Sequence, residues 1–227
     1  MIDALITGRD SSEIVRDQIA AILFTESANQ QALALAAVPP VDPDDYKLRV
    51  FVERTNPWAE WIDSPEEEPT RRFPIVNIWL DSINYEMGSS NVVERQKASV
   101  VYNIDIYGYG VAEDDPTGGH SASDEAAAVE SQRAARLVRR ILMAATYTYL
   151  DLRGVVWRRW PQNMTFFQPQ IDKRPVSRVQ AARIAFQVEM SEWSPQVHGQ
   201  PLETIIATVK RSPTGEVFFI AEYPTSP

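Results

Sequence analysis

The sequence predicts an α+β domain: a mostly antiparallel, mixed sheet flanked by two main helices, with a long loop arm and a C-terminal β-hairpin. Three observations carry this. Segments starting near Ser11 and near Ser121 show helix-start signals followed by apolar residues at a 3.6-residue period. Seven other runs alternate at period two or are rich in β-branched and aromatic residues, as strands are. Connections between successive strands are too short for helical crossovers except where the second helix intervenes, so most pairs are expected to be antiparallel.

The first helix is predicted over Ser11 to Ala37, with Ser11 or Ser12 as cap, Glu13 in the first turn and Val15, Ile19, Ile22 and Leu23 on one face. Pro39 and Pro40 end it. A strand follows in YKLRVFVER, where Leu48, Val50 and Val52 oppose Lys47, Arg49, Phe51 and Glu53. Residues 55–73 hold prolines, an acidic run and two tryptophans, and read as a long loop or arm. The strand IVNIWLDS (75–82) joins the strand SVVYNIDIYGYG (99–110) through an extended hairpin connection with Gly88, Ser89 and Ser90 at its tip.

That second strand has unequal faces. Val100, Tyr102, Ile104 and Ile106 want a core, whereas Ser99, Val101, Asn103, Asp105 and Tyr107 are too apolar for bulk solvent and too polar for a second core. The glycines of GYG (108–110) read as a bend at the strand end; no third glycine in register and no following helix makes them a phosphate loop. A turn-rich loop then leads to the second helix, for which Ser121 and Asp124 form a capping box. It is predicted to run to Tyr147 with Leu137, Val138, Ile141, Leu142 and Ala145 as its apolar stripe. Arg133, Arg136, Arg139 and Arg140 lie off that stripe, where pairing with neighbouring carboxylates is expected. GVVWRRW (154–160) and VQAARIAFQVEMSEW (179–193) are further strands, and TIIATVKR with EVFFIAEY forms a terminal hairpin around SPTG. The division expected is one domain over residues 1–200, carrying the arm at 55–73, and a hairpin extension over 201–227.

With 44% hydrophobic and 23% charged residues among 227, the composition is that of a folded globular protein, neither disordered nor fibrous. A net charge of −9 argues against a protein whose main task is to grip phosphates. The absence of cysteine removes disulfides, thiolate nucleophiles and cysteine metal sites together. The start lacks a basic leader with an apolar run, and no stretch approaches the ~20 apolar residues of a membrane span, so synthesis in the cytoplasm and no membrane partner are expected. The sequon at Asn163 then has no meaning.

Candidates for chemistry are few. His120 and His198 stand alone in turn-like segments, and GGHSAS lacks the context of a nucleophile elbow. The acidic clusters at Asp42, Asp44 and Asp45, at Glu66 to Glu68, and at Glu113, Asp114 and Asp115 lie in loops, where solvated charge is the stronger reading than a metal or hydrolytic site. Only Asp81, Asp105, Glu189 and Glu192 sit on or near strands and offer a metal-dependent hydrolase as an alternative. No catalytic residue, cofactor or metal is expected. The aromatic residues say more. Trp58 and Trp61 occupy a loop with no local core to join, and Phe166 and Phe167 follow a strand between prolines. Such residues suit anchors against another subunit, although each group could equally fold over its own sheet. With Tyr107 and Tyr109 they form the candidate interface set, and Asn103 and Asp105 mark a candidate channel or interface face.

The order of a capped helix, a strand, a long loop, the paired strands IVNIWLDS and KASVVYNIDIYGYG, a helix ending in ILMAATYTYLDL, then GVVWRRW and RVQAARIAFQVEMSEW resembles the tail terminator (tail completion or neck) proteins of long-tailed bacteriophages. The likeness covers roughly Ser11 to Trp193 and rests on element order rather than an invariant motif; the arm and the terminal hairpin are departures from it. It implies a non-enzymatic virion protein. Such a protein forms a homohexameric ring that caps the tail tube, stops its growth and meets a head–tail connector protein. The partners implied are further copies of the chain, the tail tube protein and the connector, while DNA passes through without specific binding. An acidic lining suits such a channel, because like charge prevents sticking. Another connector ring, a stopper or adaptor, shares most of these features.

Overall fold

The computed structural model describes residues 8–59, 61, 72–86, 95–114, 119–171, 174–175, 178–193, 204–210 and 217–224. Most of the arm, the turn expected at Gly88, the run Glu66 to Glu68, Asp115 and His198 lie outside the described residues. The fold is α+β. Helix α1 (Ser11–Ala36) precedes β1 (Arg49–Val52), β2 (Ile75–Tyr85), β3 (Arg95–Tyr109) and a two-residue pair, β4 (Glu113–Asp114) with β5 (His120–Ser121). Helix α2 (Ser123–Leu142) follows, then β6 (Val156–Phe167), the short pair β7 (Gln170–Ile171) and β8 (Arg174–Pro175), and β9 (Val179–Trp193). One sheet of five strands runs in the order β1-β2-β3-β9-β6; β1 is parallel to β2 and every other neighbouring pair is antiparallel. The chain divides into a compact unit, Ile6–Ser194, and a unit holding β10 (Thr204–Lys210) paired antiparallel with β11 (Val217–Pro224).

The apolar alternation of β3 and β9 builds the main core. Val100, Tyr102, Ile104 and Ile106 from β3 meet Ala182, Ile184, Phe186, Val188 and Met190 from β9, all buried, beneath Val15, Ile19, Ile22 and Leu23 of α1 and Val138, Ile141 and Leu142 of α2. Tyr102 is wholly buried because its hydroxyl donates to the Ser12 carbonyl oxygen at 2.8 Å, and burial pushes its phenol well above the ordinary range. At its N-terminal end α2 lies almost on the backbone of β3. A Cβ at Gly108 would stand 2.5 Å from the Ser131 nitrogen, and one at Gly110 would stand 2.0 Å from the Ser123 carbonyl oxygen. The glycines of the GYG stretch thus make room for a helix, and the helix answers with Ala127, Ser131, Ala134 and Ala135 on its buried side.

Several boundaries differ from expectation. Helix α2 stops at Leu142, and Ala145–Tyr147 form a separate 3-10 turn. Its N-cap is Ala122 with no side-chain cap; Ser121 pairs with Glu113 in the short ribbon instead, so the expected capping box does not form. Strand β6 continues past Trp160 to Phe167 with register shifts near Arg158 and Pro161. Pro161 is tolerated because β6 is an edge strand, where a missing N–H breaks no ladder.

Candidate functional site

The mixed face of β3 is the side of the sheet away from the helices, and the register arranges it in transverse rows. One row holds Arg49, Ile75, Tyr107, Ala181 and Phe167; the next holds Phe51, Asn77, Asp105, Arg183 and Thr165; a third holds Trp79, Asn103, Ala185 and Asn163. All five strands contribute to each of the first two rows. Side chains far apart in sequence therefore meet where the strands cross them.

An ion pair lies at the centre. Asp105 is buried and accepts from Arg183 Nε at 2.6 Å and from an Arg183 terminal nitrogen at 2.9 Å, a two-point geometry. Trp79 Nε1 donates to the same carboxylate at 3.0 Å, and the Tyr107 hydroxyl donates to it at 3.4 Å. The guanidinium carbon of Arg183 lies 5.0 Å from the Trp79 ring centre and 5.3 Å from that of Phe167, so the cation is held by aromatic faces as well as by the carboxylate. The bond to Asp105 raises the affinity of Arg183 for its proton, while burial and the neighbouring Asp105 charge push the Tyr107 phenol up. Two further polar links brace the face. Asn77 exchanges hydrogen bonds with the Arg54 backbone at 2.8 and 3.1 Å, and Asn103 Nδ2 donates to Asp81 Oδ1 at 2.8 Å.

The tryptophans of the arm are not free anchors. Trp58 and Trp61 are each only 5% exposed and form a second core with Ile75, Tyr107, Val179 and Ala181, with Phe51, Tyr109 and Phe167 packed around it. Trp61 meets Tyr109 edge-on at 5.5 Å, and Arg72 donates to the Trp61 carbonyl oxygen at 2.6 Å while lying 4.9 Å from the Tyr109 ring centre. The reason is topological. Adjacent parallel strands cannot be joined by a tight turn, so the chain between β1 and β2 has to cross the sheet. The described part of that connection around Pro57–Ala59 and Trp61 lies against the mixed face, where both indoles are buried.

Of the residues singled out from sequence, the fold brings Trp58, Trp61, Tyr107, Tyr109 and Phe167 into one cluster and sets Asp105 beside it. Phe166 is separated from this group: it opposes Ala182, on the helix side of the edge strand, and is 56% exposed. Asn103 sits one row further from the cluster and is buried. Asp105 is sealed by Arg183 within the subunit and offers no free charge to a channel. The sequence reading missed Arg183, Trp79 and Asn77. Arg183 carried a signal, since it interrupts the small and apolar residues on either side of it in β9 and falls on the face opposite Ala182 and Ile184.

The carboxylates that would serve a hydrolase do not converge. Asp81 and Asp105 share the mixed face but are engaged by Asn103 and Arg183 respectively, and Glu189 lies 3.8 Å from Arg158. Glu192 is on the helix side, where its Oε1 accepts from the Ser11 backbone nitrogen at 2.9 Å. Among the described residues no group of three or more histidine or acidic side chains is placed to hold a metal ion, and no helix is long and apolar enough to cross a membrane. His120 pairs with Asp114 at 2.7 Å in an exposed position. Compared with known proteins, the chain matches no family model and no curated sequence.

Proposed function

We propose that this chain is a structural subunit of a virion: a member of a homohexameric ring at the top of a phage tail tube, which ends tail growth and joins the tail to the head-side connector. What supports the reading is the incompleteness of the mixed face. Trp58 and Trp61 cover it at the Tyr107 end, and beyond the Asp105–Arg183 pair the face stays partly open at Ser99, Val101, Ala185 and Gln187. A braced, half-apolar surface of this kind is finished by a neighbouring protein rather than by water. The order of elements along Ser11 to Trp193 is the order on which the resemblance to tail terminators rests.

Electron microscopy of the purified protein, alone and mixed with tail tubes, tests this. Six-fold rings, free or seated on tube ends, are the expected result. Absence of the protein from purified virions defeats the proposal, and a location on the head vertex rather than the tube end moves the chain to a stopper or adaptor ring.

A further inference from the structure

Helix α2 is charged oppositely at its two ends. Glu113 and Asp114 on β4 and Asp124 and Glu125 in the first turn of α2 are exposed, as are Arg136, Arg139 and Arg140 near its other end. Preference for such charges at helix termini accounts for their signs. Asp114 is paired with His120, but the helix-end preference does not account for the isolation of the three arginines. Arg133 is held by Glu130 at 2.5 Å, but among the described residues Arg136, Arg139 and Arg140 have no ion pair, in a chain with 31 acidic and 22 basic residues. At 1.5 Å of rise per residue the two ends are about 20 Å apart, beyond the reach of screened attraction at physiological salt.

The basic end also has shape. Arg133, Arg136 and Arg140 line a groove of 210 Å³ together with Leu137 and with Asp45 and Tyr46 from the 3-10 turn Pro43–Tyr46. A groove with an apolar patch, a tyrosine and one carboxylate beside its arginines suits an acidic protein segment better than a phosphate backbone, which asks for an unbroken basic stripe. The chain itself carries an exposed acidic ribbon of that description, and a patch on one copy that fits a different patch on the next is the geometry from which rings close. We propose that the groove between α2 and the Pro43–Tyr46 turn receives the acidic β4–β5 end of a second copy, Glu113 and Asp114 facing Arg136 and Arg140, as the head-to-tail contact between subunits. This deepens the ring reading and rests on it.

A charge-swap experiment on the full chain decides it, with assembly followed by sedimentation velocity or on tail tubes. Arg136→Glu with Arg140→Glu, and separately Glu113→Lys with Asp114→Lys, should each raise the concentration for half-assembly by about tenfold or more, and assembly of the native chain should weaken as salt rises. An equimolar mixture of the two variants should assemble again, because each then offers the charge that the other lacks; this also shows that both are folded. If the native chain assembles and both reversals assemble equally well, the groove is not the contact, although the ring stands. If neither variant assembles and the mixture does not recover, the charge pairing is wrong. Salt-sensitive binding of duplex DNA that Arg136→Glu with Arg140→Glu abolishes, with assembly intact, assigns the groove to phosphate and overturns the proposal. A native chain that stays monomeric both in solution and on tail tubes overturns the ring and the contact together.

Discussion

The two partners of the central ion pair are unequally exposed, the Arg183 side chain at 37% and that of Asp105 at 4%, and this sets what their removal does. Without Asp105 the guanidinium can still reach water; without Arg183 a carboxylate is left in the sheet with Trp79 and Tyr107 as donors. Arg183→Ala is expected to destabilise by about 2–4 kcal/mol and Asp105→Asn by about 1–2, discounted from a fully buried pair because one side is wet. Urea titrations of both single variants and the double variant give the coupling, and the double should fall well short of the sum. Arg183→Lys should not rescue, since an ammonium cannot supply both the two-point contact and the flat stacking surface. Trp58→Ala and Trp61→Ala should each cost about 3–5 kcal/mol, seen as a steep fall in the melting temperature. The alternation of residues 99–107 was enough to see that the second face of β3 was special. Its main occupant was not visible, because Arg183 lies 78 positions from Asp105 and only the β3–β9 register joins them.

The close packing of α2 on β3 gives an element-scale test. Gly108→Ala and Gly110→Ala each force α2 away from the sheet, because the obstructing atoms are helix backbone rather than a movable side chain. Both should lower the melting temperature far more than Gly154→Ala, where the space is open and only the positive φ of 89° is strained. A second test concerns how α1 is tied to the 3-10 turn after α2. The Tyr147 hydroxyl donates to Glu26 at 2.7 Å, which with a bond from Asn29 holds the Glu26 carboxyl below its ordinary 4.5, while burial and Glu26 push the Tyr147 phenol up to about 12. Because the folded state favours the charged Glu26, its contribution is present above the ordinary carboxylate value and is lost as pH falls through the lowered folded value. Glu26→Gln should therefore flatten the acid limb of the stability profile, measured by denaturation at stepped pH. Both helices could be located from their apolar period. The arm could not be placed, since nothing local to residues 55–73 shows that β1 and β2 run parallel. The last seven residues of β6 were hidden by Pro161, which reads as a breaker until the strand is known to be an edge.

At the scale of the whole molecule, the proposed ring predicts a defined mass of six chains of 25.6 kDa, which light scattering of the assembled species can check. The sheet order has another consequence, for the way this chain is made. Strand β9 is the last of the five to be synthesised, yet it lies between β3 and β6. While the ribosome is still adding residues before Val179, α1, β1, β2, β3, α2 and β6 have all been made, but β3 has no partner on one side and β6 has none at all. The edge of β3 that later pairs with β9 must wait, open or chaperoned, for 70 residues of further translation, counted from Tyr109 to Val179. Folding is thus tied to the emergence of one late segment, and such non-local closure is slow and prone to aggregation. A nascent chain arrested before β9 should be sensitive to protease throughout β3 and β6, and one arrested after β9 has left the exit tunnel should be protected. In any cell making many copies at once, that interval is when neighbouring nascent chains are most able to pair wrongly through an unfilled β3.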